Sequence, residues 1–107
     1  MAYRVVVTPA AEDDLRRAYR YIRSDSPRSA REWIRRARLS ARSLAHHPDR
    51  CPMAPESASF AQPIRELLFG SGNRGIYRFL FAVFEKEKSV YVLHVRHGSM
   101  LPLDPEA

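Results

Sequence analysis

The sequence predicts an α+β fold: an N-terminal strand, an antiparallel helical hairpin, then a three-stranded antiparallel meander that completes one sheet. Three observations carry that prediction. The chain opens on a β-branched run, YRVVV; residues 9–44 hold two apolar stripes at helical spacing; and residues 64–97 alternate in three short runs joined by two turns.

The opening run at residues 3–7 is a strand that needs partners defined later in the chain. Thr8 followed by Pro9 is a helix start, because Thr caps free amides and Pro at the first helical position surrenders no useful donor. Ala11, Leu15, Ala18, Tyr19 and Ile22 share one face of the helix. Glu12, Asp13 and Asp14 crowd its first turn and Arg16, Arg17, Arg20 and Arg23 follow, an order that complements the helix dipole. Ser24-Asp25-Ser26-Pro27 ends this helix and caps the next. The second helix presents Ala30, Trp33, Ile34, Ala37, Ala41 and Leu44 on one side and turns Arg28, Arg31, Arg35, Arg38 and Arg42 away. So short a turn makes the two helices an antiparallel hairpin. Trp33 reads as core, the arginine rows as a solvated face, and His46-His47 as a surface or capping pair.

Pro48, Pro52, Pro55 and Pro63 punctuate an aperiodic connection expected to run over the surface. In the meander, Ile64, Glu66 and Leu68 oppose Arg65, Leu67 and Phe69. Ile76, Arg78, Leu80, Ala82 and Phe84 oppose Tyr77, Phe79, Phe81 and Val83. Strict alternation then sets Val90, Val92, His94 and Arg96 against Tyr91, Leu93, Val95 and His97. Both faces of the last two strands are apolar, so both are covered. Burying an unpaired cation is expensive, so Arg78 and Arg96 belong near strand ends, in a cleft or against carboxylates or phosphates. The Gly70-Ser71-Gly72-Asn73 turn is no phosphate cradle, because a strand rather than a helix follows it.

With 107 residues, 45% hydrophobic and 28% charged, the chain is expected to form one domain over residues 1–98 and an extended tail over 99–107, with Met100, Leu101 and Leu103 free to bind. Its first residues hold no secretory core and no stretch approaches a membrane span, so a cytoplasmic location and no membrane partner are expected. Cys51 is the only cysteine, which excludes an internal disulfide and deprives a thiolate metal site of its other ligands. No cofactor is implied. A net charge of +6 favours an acidic partner, either nucleic acid or protein.

Several short elements, in order, resemble the RelE/ParE toxin superfamily of type II toxin–antitoxin modules. The opening YRVVVTPAAEDDLRRAYRYI is similar to that family's strand and helix with an acidic-then-Leu element at Asp13, Asp14 and Leu15. Leu44 and Pro48 resemble its helix exit, Ile64-Arg65 its strand-borne arginine, Tyr77-Arg78 its Tyr-Arg pair and Val95-Arg96-His97-Gly98 its closing element. The resemblance covers residues 3–98 and implies an antiparallel sheet packed by the hairpin. It also implies a growth-inhibiting toxin held in a hetero-oligomer by an acidic antitoxin.

Two targets divide that superfamily. ParE-like members bind DNA gyrase; RelE-like members cut mRNA in the ribosome. For a ribonuclease, Arg65 and Arg78 would stabilise phosphorane charge and His97 would serve as base or acid, with Tyr77 a poorer candidate. For a binding protein, Arg65, Tyr77, Arg78, Arg96 and His97 would contact antitoxin or target. Residues 50–62 hold no lysine, and Ser99, Met100 and Leu101 stand where the family's His-Gly is often followed by arginines, so the resemblance is closer to ParE. A non-toxic nucleic-acid-binding or adaptor module is the third reading. On the ParE reading, reversing Arg78 to glutamate is expected to weaken binding and leave the fold intact.

Overall fold

Thr8 and Ser26 set the hairpin. In the computed structural model, which describes residues 2–70 and 75–98, helix α1 spans Pro9–Asp25 and helix α2 spans Pro27–Arg42. The Thr8 hydroxyl accepts from the Ala11 amide at 3.3 Å and closes the first turn of α1. Ser26 is the whole connection. Its amide donates to the Ile22 carbonyl, ending α1, and its hydroxyl accepts from the Ser29 amide, starting α2. Ser26→Ala removes the second bond and should lower the unfolding free energy by about 1 kcal/mol in a denaturant titration.

Strand β1 (Arg4–Val7) precedes the hairpin, and β2 (Arg65–Gly70), β3 (Ile76–Phe84) and β4 (Ser89–His97) follow it. The strand order is β1-β4-β3-β2. The three later strands form the expected antiparallel meander. β1 joins it parallel to β4, from Arg4 opposite Ser89 to Val7 opposite Val92, so the sheet is mixed rather than antiparallel throughout. The hairpin and the connection after it carry the chain to the far edge of the sheet, where β2 runs in the direction of β1. The two turns of the meander then bring β4 back in that same direction beside β1.

One face of the sheet receives the hairpin. Leu15, Ile22, Ala30, Trp33 and Ala37 meet Phe79, Phe81, Val90, Val92 and Val95 in the main core, where Phe69 stacks on Phe79 with ring centres 4.9 Å apart. Trp33 is core, as its helical position predicts. The other face carries a smaller cluster of Ala54, Ile64, Leu80 and Ala82, flanked by Phe60, Phe84 and Leu93. β3 is thus covered on both sides.

The proline-bearing connection supplies that second cover and does not merely cross the surface. It folds into short 3-10 turns at Pro48–Arg50 and Pro55–Ser59. Pro48, Cys51, Ala54 and Glu56 are buried, and backbone bonds from Ala54 to Ile64 and from Glu66 to Pro52 pin the segment beside the start of β2. Proline spacing hides these contacts because they lie between residues about ten apart and have no period.

The expected alternation in β4 fails at one step. Leu80 and Phe81 are consecutive in β3, yet they pair with His94 and Val92, which leaves Leu93 as the extra residue of a β-bulge. Val95 therefore joins Val90 and Val92 in the main core instead of opposing them. Two side chains from the start of α1 hold the bulge. Thr8 donates its hydroxyl to the Val92 carbonyl at 2.8 Å, and Asp14 accepts the Val95 amide at 2.9 Å. The turn at residues 71–73 and the tail at 99–107 lie outside the described residues.

Candidate functional site

The register of β3 against β4 sets Tyr77 opposite His97 and Arg78 opposite Arg96. These four residues of the sequence-derived set therefore share one end of the sheet, split between its two faces. On the hairpin side the His97 ring stands edge-on to Tyr77 with centres 5.0 Å apart, and Tyr77 in turn meets Trp33 and Phe69. Gly75 makes room for this arrangement. Its φ is +83°, and a Cβ there would lie 2.6 Å from His97 Nε2, so a side chain would be both strained and obstructed.

On the opposite face Arg78 is committed. Its two terminal nitrogens donate to the two Glu56 oxygens at 2.9 and 2.6 Å, and Nε donates to Glu66 Oε1 at 2.7 Å. Arg78 is 8% exposed and Glu56 2%. Hydrogen bonding to Glu56, assisted by Glu66, outweighs burial and raises the guanidinium's pKa further above its ordinary value. Arg96 sits directly across from it, a like-charge placement that the two carboxylates offset. The sequence anticipated carboxylate partners for a buried Arg78. Glu66 was among the partners it offered and Glu56 was not, and the expectation that Arg78→Glu leaves the fold intact is overturned by three acids then meeting in one buried site.

Arg65 lies elsewhere. It pairs with Phe81, four residues along β3 from Tyr77, a separation of about 13 Å. Its guanidinium donates to the Cys51 carbonyl at 2.6 Å and so holds the connection against β2. Burial pushes the neighbouring Cys51 thiol up from its ordinary pKa. Arg65, Arg78 and His97 therefore do not surround one position where a phosphate could sit.

A second surface escaped the sequence. Between α1 and α2 a groove of about 280 Å³ is lined by Leu15, Tyr19 and Ile34 with Arg16, Arg31 and Arg38. Helical spacing assigns its apolar residues to the core, yet Tyr19 and Ile34 are only half-buried and remain in reach of solvent. An apolar floor with a cationic rim suits an acidic amphipathic segment. Arg38 spans the hairpin to Glu12 at 3.0 Å, and that hydrogen bond holds the Glu12 carboxyl below its ordinary pKa despite partial burial.

The family described as ParE toxin of type II toxin-antitoxin system, parDE, matches residues 5–102. The chain belongs to this family. Among solved structures, this ParE-family chain is similar to the chromosomal ParDE toxin–antitoxin system of P. aeruginosa, at 18% identity and TM-score 0.66, over 90% of this chain and 96% of that one. It is also similar to the RelBE2 toxin–antitoxin complex of Mycobacterium tuberculosis, at 23% identity and TM-score 0.58, over 91% and 99% respectively. At such identities the two structures establish the shared fold. No curated protein sequence matches the chain. Among the described residues no helix is long and apolar enough to cross a membrane.

Proposed function

We propose that this ParE-family chain arrests growth by binding DNA gyrase, and that an acidic antitoxin neutralises it. The observation that supports binding over cutting is the commitment of Arg78: a guanidinium held by Glu56 and Glu66 has no charge to lend to a cleaving phosphate. Family membership supports the choice of gyrase. An antitoxin partner fits the net charge of +6 and the groove between α1 and α2, whose rim arginines would meet acidic residues while Leu15, Tyr19 and Ile34 take apolar ones. On this reading Arg96 and His97 form the edge of a contact surface at the end of the sheet. Tyr77 supports His97 from below, and Arg65 and Arg78 shape that surface rather than touch the partner. A cytoplasmic site of action and a role in plasmid stabilisation belong to the same proposal.

Pulsed expression in a bacterial host tests it, with transcript ends and chromosome integrity scored in the same cells. Intact messages with broken chromosomes are expected. New message ends in register with codons would replace this reading with the ribosome-dependent ribonuclease. Neutralisation is tested by co-expressing the acidic antitoxin that this reading requires: growth should recover, and Ile34→Asp, which sets a charge in the groove, should reduce recovery while the chain stays folded.

A further inference from the structure

β3 and β4 pair without a break from Phe84 opposite Ser89 to Phe81 opposite Val92, and again from Leu80 opposite His94 to Tyr77 opposite His97. Leu93 is the extra residue between the two runs. Side chains alternate along a strand, so a shift of one residue exchanges the faces of everything beyond it. A ladder carried on from the turn without the bulge would set Arg96 opposite Tyr77 on the hairpin side and turn His97 to the opposite face, across from Ile76. The bulge therefore decides which of these two side chains each face presents.

Helix α1 holds the extra residue in place. Val7 opposite Val92 is the last pair between β1 and β4, so from Leu93 onward the outer edge of β4 has no strand beside it. Thr8 and Asp14 take over that edge and bracket Leu93. On one side Thr8 donates its amide to the Val92 carbonyl at 3.1 Å, and its hydroxyl faces the Val92 and Leu93 carbonyls at 2.8 and 3.3 Å. On the other side Asp14 Oδ2 accepts the Val95 amide at 2.9 Å and lies 3.3 Å from His94 Nδ1. This use sets Asp14 apart from its acidic neighbours. Glu12 and Asp13 pair with Arg38 and Arg16, whereas the Asp14 side chain is only 13% exposed and gives one oxygen to β4.

We propose that Asp14 is a positioning residue for the contact surface at the end of the sheet. By closing the bracket that Thr8 opens, it holds the bulge at Leu93, and the bulge puts His97 against Tyr77 on the hairpin side and Arg96 beside Arg78 on the other. The proposal rests on the reading of Arg96 and His97 as the edge of that surface. Asp14 acts on both through the backbone of β4. Without it the Val95 amide loses its acceptor, and fraying of the strand or migration of the bulge relieves that cost by letting the amide find another. Arg96 and His97 then no longer keep fixed faces.

The test reads the register directly, through nuclear Overhauser contacts between the rings of Tyr77 and His97 in the full chain, whose centres stand 5.0 Å apart. His97→Gln assigns the resonance. The parent should show the contact, and Asp14→Ala should lose it while keeping a cooperative unfolding transition. Asp14→Asn, whose amide oxygen still accepts from Val95, should restore it. Deleting Leu93 separates positioning from general support. With the extra residue gone, an unbroken ladder sets Tyr77 opposite His97 unaided, so the deletion should keep the contact and Asp14→Ala added to it should no longer remove it. A residue that merely stabilised the strand would be missed equally in both backgrounds. An undiminished contact in Asp14→Ala, no rescue by Asp14→Asn, loss of the contact in the deletion alone, or its loss or unfolding when Asp14→Ala is added to the deletion would each overturn the proposal. Should Asp14→Ala by itself fail to fold, the deletion with and without it decides. Growth arrest is scored separately with Arg96→Ala and His97→Ala. If neither weakens it, the contact reading fails and takes the use of the clamp with it; if both do and the register ignores Asp14, the positioning role alone falls.

Discussion

Arg78→Ala should cost about 3–5 kcal/mol of folding stability, enough to unfold a large share of a domain of this size at growth temperature. Removing the guanidinium takes from Glu56 and Glu66 the one group that bonds to both of them. Glu56→Ala should cost nearly as much, because it strands Arg78 with one carboxylate and its neighbour Arg96. Replacing the group together, as Arg78→Met with Glu56→Leu and Glu66→Leu, should recover most of the loss, since a buried ion cluster gains little over well-packed apolar side chains once its desolvation is counted. Urea titrations of the single and triple variants check this. A triple variant no more stable than Arg78→Ala would mean that the cluster contributes a net stabilisation its burial argues against. Toxicity assays on Arg78 variants inherit this effect: loss of growth arrest in Arg78→Glu reports loss of fold before it reports loss of a contact. Arg96 and His97 are the better probes of contact, because both remain partly exposed.

Whether a feature could be read from the sequence followed the distance over which its cause acts. Both helix starts were legible because a capping hydroxyl and the proline after it lie within four residues of the amides they serve, as Thr8 and Ser26 show. The faces of β2 and β3 were legible because each strand keeps its alternation from end to end. The slip at Leu93 was not, because both faces of β4 are apolar and a shift of phase leaves no polar residue in the core to mark it. Its cause lies about 80 residues away, in Thr8 and Asp14. Glu56 was hidden for a related reason. It sits in a segment with no period, and only the folded register brings it to Arg78, 22 residues later. Of the candidate site, the turn between the last two strands sets Phe84 opposite Ser89, but carried on without a slip that register would place Tyr77 opposite Arg96; only the bulge at Leu93 brings Tyr77 opposite His97. The groove could not be read either, since sequence spacing treats a half-buried Tyr19 and a buried Leu15 alike.

Asp14→Ala should cost about 2–3 kcal/mol at neutral pH, and the cost should shrink in acid. The side chain accepts the Val95 amide at 2.9 Å and lies 3.3 Å from His94 Nδ1, so its removal strands a bulge amide that β3 cannot reach. Burial by itself would raise the Asp14 pKa. Hydrogen bonds from His94 and Val95 and the charges of His94 and Arg17 overcome it and hold the carboxyl below the ordinary aspartate value. A carboxyl whose pKa is lower in the folded chain than in the unfolded one adds stability above the unfolded value, near pH 4, and loses it as pH falls through the folded value. The gap between the parent and Asp14→Ala, measured by urea titration, should therefore be full at pH 7 and narrow below about pH 4. Asp14→Asn separates the two roles, because an amide oxygen can still accept from Val95 but carries no charge for His94 or Arg17. It should lose less than the alanine variant and show a flatter response to acid. Equal losses at pH 7 would place the whole effect in the charge. The acidic-then-Leu element at the start of α1 would then serve to bind cations, with its hold on the bulge of β4 incidental.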